Sequence, residues 1–226
     1  MKTSIYWQDP KYAVGRRFTD PSCVLYLPLH RLDGAGFKSE DAYGHLCAVT
    51  GALWRSSGRY FDGTDDIITI ADHTVLQLTT RATFEFAFKL TSIDRNQNLI
   101  SKASGSSNYG IKIHPTSNLI RLDWFNVSWQ SALSNTAMDT NWHIIAVAVD
   151  FTLASANISF YIDGILDVAR DNTTSFIASA DDVTLGREAE ATAHLDGTIG
   201  EVRIYRRALT PTEVQHNYLA TKWRYQ

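Results

Sequence analysis

Cysteine is scarce in this sequence: Cys23 and Cys47 are the only two in 226 residues. That excludes a disulfide-built scaffold. Both lie in early strand-like runs that can be neighbours, so one bridge and two buried thiols both stay open. Long apolar runs are also missing. No stretch approaches the roughly 20 residues of a membrane helix, so membrane insertion is not expected. Net charge is small, and a formal value of −3 excludes a generally basic protein that coats nucleic acid. Residues 1–14 hold no apolar core, because Gln8, Asp9, Pro10 and Lys11 interrupt it. No secretory signal is read there.

Catalytic equipment is absent in the same way. Retaining glycosidases need two carboxylates about 5–5.5 Å apart, which a strand supplies as Glu-x-Asp-x-Glu. The nearest approach is Glu188-Ala189-Glu190, which reads as loop, and Glu85 stands alone in its strand. There is no Gly-x-Ser-x-Gly, no His-Glu-x-x-His, and no histidine pair with zinc spacing. No enzyme is expected. Three Asn-x-Ser/Thr sequons begin at Asn126, Asn157 and Asn172, a frequency that polar strand-rich sequence produces by chance.

Short strands separated by turns fill the chain. Phe84, Phe86, Phe88 and Leu90 alternate with Thr83, Glu85, Ala87 and Lys89, the period of a strand with two different faces. Residues 144–149 are apolar on both faces, which predicts a central strand covered twice or a curved sheet over a core. Further strands are expected at 24–29, 98–102, 109–114, 119–125, 127–133, 158–162 and 183–186. Asp33-Gly34, Asp62-Gly63, Asp163-Gly164 and Asp196-Gly197 punctuate them. One helix is expected, from Pro211 to about 221, with Thr210 as N-cap and Glu213 closing a capping box. The fold class is all-β: a two-sheet antiparallel jelly-roll sandwich with a short C-terminal helix. Residues 1–21 read as an N-terminal arm and 22–226 as the domain.

The phrase at 197–214, a closing strand followed by the capped helix, resembles the end of the laminin-G-like (pentraxin-type) domains of the concanavalin A-like lectin/glucanase superfamily. Residues 59–70 resemble that family's early hairpin, 82–90 its first core strand, and 141–150 with 158–164 its central strand pair. Together they cover about 22–226. The resemblance implies a concanavalin A-like sandwich whose first and last strands are neighbours. It also implies a domain that works outside cells, since the family does so. Reading the chain as starting at its own Met1 without a leader, the expected location is extracellular or a virion surface reached without the general secretion route. The family commonly carries an acidic residue where this chain has Gly200. In several relatives that acid helps hold a structural calcium.

Four groups of candidate residues follow. On the strand pair 119–133, Arg121, Asp123 and Phe125 share a face, and Trp129, Gln130 and Tyr109 are placed with them as a shallow glycan-binding surface. Asp62, Asp65 and Asp66 are closely spaced oxygen donors for a candidate calcium, or else turn-formers bonding their own backbone. His143, beside Trp142, is expected to be a packed, hydrogen-bonded histidine. Residues 1–22 carry +2, residues 201–226 carry +3, and the body between carries −8. Tyr6, Trp7, Tyr12, Arg16, Arg17, Arg206 and Arg207 are therefore read as an assembly anchor for a protein scaffold or a homo-oligomer. The expected function is a non-catalytic, surface-displayed binding or structural module. A virion-type decoration or fibre subunit with glycan adhesion comes first, then a stand-alone lectin-like module, then a glycoside hydrolase relative without its carboxylates.

Overall fold

The structure, a computed structural model, describes residues 20–102, 109–188 and 193–226. The arm residues Tyr6, Trp7, Tyr12, Arg16 and Arg17 lie outside the described residues, as does Glu190. Strands are numbered in chain order. The first sheet runs β14 (Ile165–Arg170), β13 (Ile158–Ile162), β12 (Trp142–Asp150), β7 (Arg81–Leu90), β16 (Asp196–Tyr205), β5 (Gly58–Asp62), β4 (Leu53–Arg55), and β1 (Cys23–Leu27) also pairs with β16. The second runs β11 (Ser128–Ala137), β10 (Leu119–Asn126), β9 (Tyr109–Ile113), β8 (Gln97–Lys102), β15 (Val183–Leu185), β6 (Ile67–Ile70), β3 (Leu46–Thr50), β2 (Gly36–Lys38). Every pairing between named strands is antiparallel, and β1 lies beside β16 as the resemblance implied.

Between the sheets lies one apolar core. Phe84, Phe86 and Phe88 of β7 meet Ile111, Leu122 and Trp124 of the facing sheet, all buried. Tyr109 belongs to this core, which corrects its placement on the binding surface. Its ring is fully buried 5.0 Å from Phe84, and its hydroxyl donates to the Leu76 carbonyl at 3.2 Å. The parity of β9 turns it inward, with Ile111 and Ile113, while Lys112 takes the outer face.

Residues 59–70 do not form a hairpin. β5 pairs with β4 and β16, whereas β6 pairs with β3 and β15, so the loop between them crosses from one sheet to the other. The Asp66 carboxylate shapes this crossing by accepting from the Asp62 N–H at 2.9 Å. The expected strand at 127–133 starts one residue later, because Val127 is the turn. Its φ is +63°, a region that β-branched residues avoid, and it is 89% exposed. Cys23 and Cys47 lie in opposite sheets, both buried and free. Short β2, β4 and β14 were not expected. Their residues are mostly exposed or half-buried, so no strong alternation marks them.

The outer face of the first sheet is covered. Helix α1 (Pro211–Thr221) starts in a full capping box and lays Val214 over Ala146, Ala148, Tyr161 and Tyr205. This explains why β12 is apolar on both faces. Arg207 bonds Asp20, Ser22 and Glu213, so the helix start is tied to the start of the domain. The Arg207 guanidinium, expected as part of an anchor, is thus engaged within the chain. Arg206 is exposed. Under the helix, Arg203 is ion-paired with Glu201 on its own strand and with Glu85 on β7 at 3.4 Å. Asn217 of α1 donates to both Glu85 oxygens. Burial lifts both carboxyl groups above the ordinary range, and the Arg203 cation opposes that lift. Burial works against the Arg203 charge too, but the two carboxylates outweigh it.

Breaking this group strands a buried charge. Arg203→Met is expected to destabilise the domain by about 3–5 kcal/mol and to lower its melting temperature by roughly 10 °C. Replacing Glu85 and Glu201 by leucine in the same chain is expected to recover most of the loss. A thermal melt of the parent and the two variants checks this, and a loss below about 1 kcal/mol in Arg203→Met would contradict it.

Candidate functional site

Among the described residues the outer face of the second sheet carries no helix, and the strand order β11-β10-β9 puts chemically active residues there in rows. Register sets Arg121 beside Lys112 and Leu133, Asp123 beside Gly110 and Ser131, and Phe125 beside Trp129. Lys112, Arg121, Asp123, Trp129, Gln130, Ser131 and Glu188 line one shallow depression of about 400 Å³, within the usual size of ligand sites.

Its floor is a charge network. The Arg121 guanidinium meets the Asp123 carboxylate at 2.9 Å. The Lys112 ammonium lies 2.9 Å from Glu188 and 3.6 Å from Asp123. Burial pushes the Asp123 carboxyl above the ordinary range, and the Arg121 and Lys112 cations hold it back. At one wall the Trp129 indole is 54% exposed and stands edge-to-face against Phe125, ring centres 5.6 Å apart. The Val127 turn beside it adds an exposed apolar tip. An accessible ring beside fixed donors and acceptors can take a flat, hydroxyl-rich molecule: the ring covers its C–H face, and the charged groups bond its hydroxyls.

Of the expected residues, Arg121, Asp123, Trp129 and Gln130 come together, and Phe125 supports Trp129 from behind. Gln130 is at the rim. It pairs with Trp124, and its side-chain oxygen accepts from Asn172 at 3.2 Å. Lys112 and Glu188 were missed. Lys112 showed its face only by alternation with Ile111 and Ile113, and Glu188 reaches the site from a loop 76 positions away from Lys112. The amide nitrogens of all three sequon asparagines are tied inside the domain, to Ser175, to Leu153 and Asn172, and to Gln130.

Two other clusters bring titratable side chains together. Asp62, Asp65 and Asp66 offer carboxylate oxygens within 4.8 Å of one another, so they could hold a metal ion. Position 200 has no part in that cluster. Asp62 pairs with Asp196, and Gly200 lies four residues further along β16. A Cβ at Gly200 would stand 2.3 Å from the Tyr225 ring, so glycine is required there for C-terminal packing and an acidic side chain has no room. His143 is hydrogen-bonded between Asp163 and Asp139, each at 3.1 Å, and these partners raise its pKa against the effect of burial. It ties the Asp163 turn between β13 and β14 to Asp139 in the link before β12, and among the described residues no nucleophilic side chain bonds it.

A two-sheet sandwich with one face capped by a helix and a shallow polar-aromatic depression on the other defines a lectin-like β-sandwich. The sequence pattern of the laminin-G group of the concanavalin A-like lectin/glucanases superfamily matches residues 62–215, and the chain belongs to that superfamily. No curated protein matches the chain. Among solved structures, it is similar to the binding domain of Paraclostridial Mosquitocidal Protein 1 at 11% identity, TM-score 0.69, covering 88% of this chain and 52% of that one. It is similar to a botulinum neurotoxin type C chain, whose cell entry depends on two ganglioside molecules, at 12% identity and TM-score 0.68, covering 88% and 51%. It is also similar to domain 4 of AbnA, an extracellular arabinanase from Geobacillus stearothermophilus solved with arabinotriose, at 16% identity and TM-score 0.70, covering 86% and 97%. The chain thus spans about half the length of the toxin structures and nearly all of the arabinanase domain. At these identities the likeness is one of fold.

Proposed function

We propose that this domain binds glycans without turning them over, at the depression between Trp129 and Lys112, and works outside the cell. The observation that carries this reading is the exposed Trp129 ring next to four charged groups held by one another. The printed ligands of two structural neighbours, gangliosides and arabinotriose, support it as carbohydrate chemistry hosted by the same fold. Trp129→Ala is expected to weaken glycan binding about 10- to 30-fold, as loss of an aromatic anchor does, with the melting temperature unchanged. Isothermal titration on a ligand found by glycan array checks it, and undiminished binding in Trp129→Ala would displace the site from this face.

The Asp62, Asp65 and Asp66 cluster enters the reading as a structural calcium site, by its all-oxygen donors. Calcium at a hundred times its Kd is then expected to raise the melting temperature by about 5–10 °C, reversed by chelator and absent in Asp65→Asn. An unmoved melt would instead leave Arg95, which donates to the Gly63 carbonyl at 3.0 Å, as the loop's counter-charge.

A second reading is a surface-displayed structural subunit, of a virion or another protein scaffold, or one that assembles with itself. What favours it are exposed apolar side chains at the C-terminal end and on β14, which α1 contacts: Trp223, 63% exposed, shares one depression with Leu219, and Ile165 is 70% exposed on β14. Native mass analysis of the full chain is expected to show a defined oligomer that Trp223→Ser dissolves. A monomer at tens of micromolar would count against self-assembly.

A further inference from the structure

We infer that the depression selects uncharged glycans and rejects acidic ones: sialylated, uronic or sulfated chains. The inference rests on the glycan-binding reading above and names the substrate class of that site. It comes from the site's charge, since the neighbours' ligands include both kinds.

Lys112 and Arg121 are the only cations that line the depression among the described residues, and Asp123 and Glu188 the only anions. The charge of each cation is already matched, though the buried Arg121 Nε has no hydrogen-bond partner. Arg121 is held by Asp123 at 2.9 Å, and Lys112 sits between Glu188 at 2.9 Å and Asp123 at 3.6 Å. A ligand carboxylate or sulfate would have to take one of these cations from a partner that is itself mostly buried. It would leave that carboxylate unpaired and face its repulsion. A neutral hydroxyl pair asks for no such exchange. It can donate to a carboxylate and accept from a cation while the ion pair stays closed. The wider field points the same way. Residues 23–200, which supply the depression, carry −8 and the whole chain −3, so the net field opposes an approaching anion. The exposed Trp129 completes the fit, because its ring face covers a sugar's C–H face and, being electron-rich, is unfavourable to an anion.

The experiment is titration of the full chain with matched pairs that share a backbone. These are lactose against sialyllactose, and galacto-oligosaccharides against oligogalacturonides, each at 50 and 500 mM NaCl. The expected result is binding of the neutral member at least tenfold tighter than its acidic counterpart, with little dependence on salt. Glu188→Gln frees Lys112 from its nearer carboxylate while Asp123 still faces it. This variant is expected to narrow the ratio of neutral to acidic affinity, at low salt only. Tighter binding of the acidic members, falling steeply with salt, would overturn the inference and leave the glycan-binding reading intact, provided Trp129→Ala weakens it as predicted above. A Glu188→Gln chain that melts like the parent yet discriminates to the same degree would also overturn it. Binding of no glycan of either kind would bring down the parent reading, and this inference with it.

Discussion

The buried Arg203 between Glu85 and Glu201 fastens the C-terminal helix to the first sheet, and the division of labour between the two faces depends on it. The three groups lie on adjacent strands β7 and β16, in the middle of the sheet, where an unpaired charge is not tolerated. Asn217 completes the group from the helix, so α1 is positioned by hydrogen bonds as well as by Val214 and its apolar neighbours. With that face sealed, the outer face of the second sheet is left open beside the hairpin of β10 and β11.

The same physics of paired charge recurs on the open face with a different outcome. Beneath the helix the ion pairs are closed to solvent and hold structure. In the depression Lys112, Arg121, Asp123 and Glu188 are matched among themselves but lie at the edge of water, next to an uncovered indole. A network whose charges are paired with one another holds its geometry before binding, leaving the buried Arg121 Nε without a hydrogen-bond partner, and a preorganised site loses little in ordering when a ligand arrives. The strained Val127 turn belongs to the same arrangement, because it closes the hairpin that carries Trp129.

Gly200 illustrates how a single position can be misjudged when considered in chain order. As the missing member of a family acidic set, it bears on calcium. In space it lies under the Tyr225 ring, away from Asp62, and its lack of a Cβ serves the C-terminal packing.

Local order carried much of this protein in its sequence. Alternation along 82–90 and 119–125 marked the strands and their faces, because side chains on a strand change sides at every residue whatever the strand pairs with. Thr210, Pro211 and Glu213 marked the helix start, because capping is satisfied within one turn. The row of Arg121, Asp123 and Phe125 followed from the same parity. Tertiary structure alone decided what those rows meet. Register across β9 brought in Lys112 and sent Tyr109 into the core; a distant loop supplied Glu188; and the crossing at Asp62–Asp66 split an expected hairpin between two sheets. These contacts join residues far apart in the chain, and such partners are set by which faces can be buried together, a property of the whole sandwich that no short stretch contains.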